Sequence, residues 1–567
     1  MPKNLNKKFN SWLASLAINA IILIIVLLLT NIMYETNDDF GIAYKLSQGY
    51  PYIGFVNYFL CKVLIVIQGM FTKVNVFILA QLMLSFVAFT VALRTILERS
   101  NKIIVELVAV GIILMFSVDH YAAVQFTKTA SLLMATGLLL LVDNYLHEKK
   151  IGYYVLAYAF FYIGVAFRAD AMIPAIGFVG AFMLLWFLLN GIPSIREHGL
   201  NKKDVAKVLL IIVIALVPYG IDMLSDRMNA STPELAYARE YQAERTKVTD
   251  YPLTKYYEKN AEAFNEIGLD ENDIKLVSKW MLDYDGAASL ENLKKINKIT
   301  APSIAADKSI VKAVKRFLRN TFKDVTGFTF KGMHIIVLAF LSLMLLMMTK
   351  RRNWWYIIFM GGMMILTYVA IIYLQRENYR AFYIGDISAC FWLLYVLAIE
   401  GNEAKPINAW ISGLLCLVIA VTSFAVATTS LNRQYVGQKN KIESDTAVQF
   451  YEDNSDKFYV CATLSKKRHP SYLTPLKIPV VERNATGLGG WGTLAPFELD
   501  QLAEFGMNNL VGDLINHDNR YFLGTSNRKA IEKYYNKWYA DENSRIKFVN
   551  VGNIEGTIIA KVVKESK

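Results

Sequence analysis

Charge is scarce in this chain: Asp, Glu, Lys and Arg supply only 19% of 567 residues, while the hydrophobic set supplies 54%. A water-soluble protein of that length needs more polar surface than this, so the apolar surplus must face something other than water, and lipid suits it. Cysteine is scarce as well. Cys61, Cys390, Cys416 and Cys461 are scattered, mostly within apolar runs, and match no disulfide framework or metal spacing. The chain shows no low-complexity tract and no strong internal repeat. No small-residue cleavage site follows the first apolar run, which therefore reads as a span and not a signal peptide. The glycine-rich run Gly487 to Gly492 follows no clear strand and opens no clear helix, so it lacks the context of a dinucleotide fingerprint. Acidic residues deep within the spans are missing too, which fits a transmembrane ion path poorly. The net charge of +12 would suggest nucleic acid in a soluble protein, but the basic residues fall between apolar runs and build no basic face, so no nucleic-acid partner is expected.

What is present is a series of apolar runs long enough to cross a hydrocarbon core of about 30 Å. They lie at 12–33, 74–95, 103–118, 128–146, 151–167, 171–190, 205–224, 333–349, 353–374, 382–400 and 408–428, eleven spans of a polytopic α-helical membrane protein. Segment 53–72 is also apolar but carries Lys62 and Gln68 near its middle, and reads as an interfacial or re-entrant juxtamembrane helix. With the N-terminus inside, the cytoplasmic stretches hold Lys3, Lys7 and Lys8; Arg94, Arg99 and Lys102; Lys149 and Lys150; Arg196, Lys202, Lys203 and Lys207; Lys350 to Arg352; and Lys405. Every cytoplasmic loop is then basic, as the positive-inside rule requires, and the C-terminus falls outside. The expected location is the cell membrane.

Four domains follow from this topology. Residues 1–224 form an N-terminal transmembrane module with an acidic first outer loop at 34–52; residues 225–332 form an outer helical insert with a helix-start signal at 268–273. Residues 333–431 form a second transmembrane module, and 432–567 a small outer α/β domain, with strand-like runs at Phe458 to Ala462 and Gly556 to Val563.

Candidate functional residues gather at the outer ends of the spans. Asp38 and Asp39 are adjacent carboxylates at a membrane boundary, where mutual repulsion raises the proton affinity of at least one and suits it to act as general base on a hydroxyl. The plainer alternative is a solvated acidic helix end. Glu35 and Asn37 stand beside the pair as polarising or substrate-binding groups. Arg376 and Arg380 flank the mouth of the tenth span; if that stretch is helical, the spacing of four sets both guanidiniums on one face, with a fork that matches phosphate oxygens. Anchoring at the interface is the competing explanation. Arg168, with Asp170 as a ready ion-pair partner, lies in the turn after the fifth span. Asp119, His120, Gln125 and Lys128 form another polar cluster between spans three and four. Acids, arginines and a lysine at one membrane face suit an anionic, lipid-linked substrate.

The order of elements resembles the GT-C glycosyltransferases: an inside N-terminus, one span, an outer loop with paired acids, a juxtamembrane helix, then many spans. Asn37-Asp38-Asp39-Phe40 resembles the acidic motif of their first outer loop. Gln125-Phe126-Thr127-Lys128-Thr129-Ala130 resembles a recurring start of the fourth span in bacterial members. Arg239 to Asp285, with Thr249-Asp250-Tyr251-Pro252, Asn272, Asp273 and Trp280, resembles an outer insert of bacterial relatives. The resemblance covers the membrane half well and the tail hardly at all. It implies transfer of a sugar from a polyprenyl-phosphate donor to an acceptor hydroxyl on an envelope glycan, lipid or protein, in contact with membrane lipids. Asp38 or Asp39 would then be the base, Arg376 and Arg380 would hold the donor phosphate with Arg168 and Lys128 as secondary candidates, and Asp250 and Tyr251 would border the acceptor site. Some members use a divalent metal; no ligand spacing is visible here, so no cofactor is expected to be required, and a divalent cation stays open. Two other classes remain: a transporter or flippase of lipid-linked saccharides, and a membrane-anchored sensor or scaffold.

Overall fold

The computed structural model describes residues 2–198, 202–401, 409–439, 448–462, 474–524, 527–554 and 556–567. The chain divides into two compact units: Met1–Asp226 with Ile310–Gly437 and Leu473–Pro479, and Arg227–Ser309 with Gln438–Tyr472 and Val480–Lys567.

The first unit is a helical bundle. In chain order it contains α1 (Pro2–Leu29), the two-residue strand β1 (Met33–Tyr34), α2 (Asn37–Ser47), α3 (Tyr58–Met70), α4 (Val76–Arg99), α5 (Ile103–Ala122), β2 (Ala123–Val124), α6 (Phe126–Leu146) and α7 (Ile151–Phe167). Then come α8 (Met172–Trp186), running through a π turn into α9 (Ile192–His198), and α10 (Lys202–Met228). Helices α11 (Pro233–Thr249), α12 (Leu253–Lys259), α13 (Ala261–Glu266), α14 (Glu271–Ser278) and α15 (Leu290–Asp307) belong to the second unit. The bundle resumes with α16 (Ile310–Thr326), α17 (Phe330–Met348), α18 (Trp354–Tyr373), α19 (Tyr379–Glu400) and α20 (Ala409–Lys439).

Among the described residues, nine helices are long and apolar enough to cross a membrane. They coincide with nine of the eleven runs read from sequence. The other two runs fall on α7, 17 residues and so about 26 Å long at 1.5 Å per residue, and within the 27-residue α10. The protein is a multi-pass helical membrane protein. Helix α3 has 13 residues, about 20 Å, too short to span. The most enclosed spans are α6 and α19. Arg99 from the end of α4 donates to both oxygens of Asp143 in α6 (2.6 and 3.1 Å), Lys149 reaches the same carboxylate at 2.6 Å, and the Tyr395 hydroxyl of α19 donates to it at 2.9 Å. This network ties three helices together at the bundle end opposite the one described below.

The second unit carries a five-stranded sheet in the order β4 (Ala485–Gly487), β3 (Phe458–Cys461), β5 (Arg520–Leu523), β7 (Thr557–Ser566), β6 (Ser544–Ile554). Strands β4, β3 and β5 run parallel, and β7 and β6 close the sheet as an antiparallel hairpin. The segments taken above as separate outer domains share one core: Tyr241, Phe264, Leu282 and Ile296 pack with Phe458, Val511, Phe522, Tyr535 and Phe548. Residues 310–332, assigned to the insert by sequence, belong instead to the bundle. The glycine run does follow a strand, β4, although the next helix opens only at Pro496. One of its glycines serves close packing: a Cβ on Gly489 would stand 2.7 Å from the Leu282 Cβ.

Candidate active site

The site grows from the exit of α1. Strand β1 pairs in parallel with β2, Met33 opposite Ala123 and Tyr34 opposite Val124, and the Glu35 amide continues the ladder onto the Val124 carbonyl at 3.0 Å. This pairing fastens the first loop to the α5–α6 turn and sets four acidic side chains beside it. Gln125 caps α6 by accepting from the Lys128 amide at 2.8 Å. That turns the Lys128 side chain inward, where its Nζ lies 2.5 Å from Glu35 and 2.8 Å from Asp119. Asp119 also accepts from the Ser430 hydroxyl of α20 at 3.2 Å. Lys128 is fully buried and spent on two carboxylates, so it braces the site and does not present itself as a phosphate ligand.

Asp38 and Asp39 lie in the first turn of α2, where carboxylates are favoured by the exposed amides and the helix dipole. Their surroundings differ. Asp39 is completely buried: Oδ1 accepts from the Phe126 amide at 2.8 Å and from Gln81 at 3.4 Å, while Oδ2 accepts from the Thr36 hydroxyl at 3.2 Å. Burial pushes its pKa up to about 7, against the pull of those hydrogen bonds and with added repulsion from Asp38. Asp38 keeps 21% of its side chain exposed and meets the Arg380 guanidinium at 3.0 Å. Arg168 pairs with Asp170 at 2.6 Å and lies over the rings of Phe55 and Phe126, each 5.9 Å away. The Phe126 backbone holds Asp39 while its ring carries Arg168, so two of the candidate groups hang on one residue.

Arg376 departs from expectation. The stretch is not helical across it: α18 ends at Tyr373, Gln375 takes a left-handed conformation (φ 59°), and α19 starts at Tyr379. Arg376 therefore sits exposed in the connecting loop, and helix geometry does not align it with Arg380. Between them, Glu377 is held by Arg316 at 2.8 Å and by Asn320 at 3.2 Å, both from α16. The side chain of Asn37 lies outside the described residues. Asp250 and Tyr251 belong to the second unit, Asp250 ending α11 and Tyr251 lying 5.8 Å under the Lys308 ammonium.

The absence of acids deep in the spans does not hold. Asp386 lies seven residues into α19, about 10 Å from its start, fully buried, accepting from the Tyr368 hydroxyl at 2.6 Å and facing His334 Nδ1 at 3.2 Å. A run of aromatic rings leads from it to His120: His334 packs on Phe116, Phe116 on Tyr383, and Tyr383 on His120, with centroids 5.2, 5.5 and 5.2 Å apart. His120 Nδ1 is 3.4 Å from the Ser85 hydroxyl. An ionisable residue inside an apolar helix is a functional signal in its own right, and Gly385-Asp386 in an otherwise apolar run carried it.

Neither a protein-family model nor a curated protein matches the chain. Among solved structures, the crystal structure of ArnT from Cupriavidus metallidurans bound to undecaprenyl phosphate is similar over 97% of both chains, with 11% identity and a TM-score of 0.39. At that distance, function has to be read from the site.

Proposed function

We propose that the protein is a membrane glycosyltransferase of GT-C type, moving a sugar from a polyprenyl-phosphate donor to an acceptor hydroxyl of an envelope glycan, lipid or protein. The observation that carries this reading is the Asp38–Arg380 pair: a partly exposed carboxylate 3.0 Å from a partly exposed guanidinium, beside a buried Asp39 that fixes the start of α2. Asp38 accepts the acceptor's proton as its oxygen attacks the anomeric carbon. The bond from that carbon to the phosphate oxygen breaks, and Arg380, with Arg376 and Arg168 as further cations, stabilises the charge gathering on the departing polyprenyl phosphate. Asp39 positions and does not transfer protons, and Lys128 with Glu35 and Asp119 keeps the loop in place. The arginines supply the positive charge, so the reading calls on no metal or cofactor. The positive-inside count sets the N-terminus in the cytoplasm and this end of the bundle, with the C-terminus, outside.

Transfer from a radiolabelled polyprenyl-phosphate sugar pool to a membrane extract tests this in purified protein. Asp38→Asn should lower transfer by about 10²–10⁴-fold while donor binding persists, and Arg380→Ala should weaken both. Undiminished transfer in Asp38→Asn would remove Asp38 as base. The buried Asp386–His334 pair favours a second reading, a flippase, because ionisable groups at that depth mark transport paths as well as sites. Label that crosses the membrane but never leaves the lipid would put that reading first.

A further inference from the structure

Helix α16 has two unlike exposed faces. Ala313 and Phe317 pack against Tyr368, Ile372 and Phe382 of the bundle. Adjacent to that seam, Ile310, Val311, Val314, Leu318 and Phe322 form an uncovered apolar stripe, with Leu318 60% and Phe322 70% exposed. On the remaining side lie Lys312, Lys315, Arg316, Arg319 and Lys323, five cations against the single carboxylate of Asp324. The helix is tied to a span: the Thr329 hydroxyl, which caps α17, donates to Asp324 at 2.9 Å, and the Thr329 amide donates to the Asp324 carbonyl at 3.0 Å. Phe328, in the turn between, is 70% exposed as well.

An uncovered apolar stripe flanked by cations, fixed to the first turn of an apolar span, is the pattern of a helix lying in the plane of a bilayer surface. We propose that α16 is seated in the membrane interface, with Leu318 and Phe322 in the acyl boundary and its cations drawing anionic lipid headgroups. The charge decides the occupant: a soluble protein partner would need a matching apolar and acidic groove, whereas an anionic bilayer supplies both features at the place where the span already enters it. The inference goes beyond the transferase reading and stands without it. One consequence reaches the candidate site, because Arg316 and Asn320 hold Glu377 in the loop between Arg376 and Arg380.

Nitroxide labels on the full chain in nanodiscs test it, at Leu318→Cys, Phe322→Cys and, on the polar side, Arg319→Cys, with the unsubstituted chain labelled in parallel to account for its own cysteines. The labels at 318 and 322 should be relaxed by oxygen in preference to a water-soluble nickel chelate, and the label at 319 the reverse. Spin-labelled phosphatidylglycerol should be immobilised by the protein in roughly two-fold or greater excess over phosphatidylcholine. That excess should fall toward parity when Lys315, Arg319 and Lys323 are changed together to alanine, with Arg316 left in place. Nickel access at 318 and 322 would place the stripe in water and overturn the proposal. Protection from both relaxants would place it against protein, and lipid association without anionic preference would remove the headgroup role; either result overturns it too.

Discussion

Asp38 and Asp39 are neighbours in the chain, yet burial separates their chemistry. A carboxyl with a pKa near 7 looks suited to base catalysis at neutral pH, and Asp39 has one. It is also enclosed and engaged by Phe126, Gln81 and Thr36, which leaves it no approach to a substrate hydroxyl. Asp38 has the approach. Asp38→Asn is therefore expected to lower transfer by about 10²–10⁴-fold with little change in unfolding midpoint. Asp39→Asn should show itself in stability instead. The folded pKa of Asp39 lies above the ordinary 3.8, so between about pH 4 and pH 7 the folded state holds a proton that the unfolded state has lost. Stability then falls as pH rises through that window, by on the order of 4 kcal/mol in total. Asparagine cannot ionise, so unfolding measured from pH 4.5 to 8 should lose that slope in the variant. If the slope persists, another group is responsible. The sequence showed that the pair was there, and could not show which member was enclosed: that depends on the Phe126 amide and on Gln81, which lie 87 and 42 positions away.

At the scale of elements, the long apolar helices were legible because about twenty apolar residues in a row have few alternatives to crossing a bilayer. The short elements were not. Strands β1 and β2 have two residues each, too few to show any alternation, yet they bring Glu35 to Lys128. Placing Arg376 and Arg380 on one face required the stretch to be helical, and the left-handed Gln375 that breaks it is a conformational choice with no glycine or proline to signal it. The same scale governs the staple at the other end of the bundle. Asp143 is buried beneath Arg99, Lys149 and Tyr395, and removing one partner of such a network leaves charge without compensation. Asp143→Ala should cost about 3–5 kcal/mol in a denaturant titration of the solubilised protein. Arg99→Ala combined with it should recover part of that loss, since the half-buried guanidinium left without its partner is then gone. Simple additivity of the two substitutions would show that the ion pair contributes no coupling.

The chain as a whole is assembled from segments far apart in sequence, and the second unit shows what this demands. Residues 227–309 interrupt the bundle, and their apolar side chains find cover in the same core as residues from 458 onward. Polar contacts follow the same division. Asp283 accepts from the Tyr534 hydroxyl at 2.7 Å and the Tyr539 hydroxyl at 2.8 Å, and Asp273 accepts from the Trp538 indole at 3.0 Å. Burial raises the Asp283 pKa, and the two hydroxyls compensate the cost of its charge. In the sequence the two segments stand apart, because composition reports only that each is charged and amphipathic, and cannot report that each is the other's missing half. Neither should then hold its structure alone. In the protein cut short after Gly437, amide protons across 227–309 should lose protection by ~10³-fold or more, the signature of losing a cooperative unit. Amides of α6 and α19 should stay protected, since the bundle keeps its own packing. Asp283→Ala in the intact chain should produce a weaker form of the same effect, about 1–3 kcal/mol, by leaving the buried Tyr534 hydroxyl and the half-buried Tyr539 hydroxyl without their acceptor. Full protection of 227–309 in the shortened protein would mean that the insert folds by itself, and the shared core would then be a contact between two finished domains.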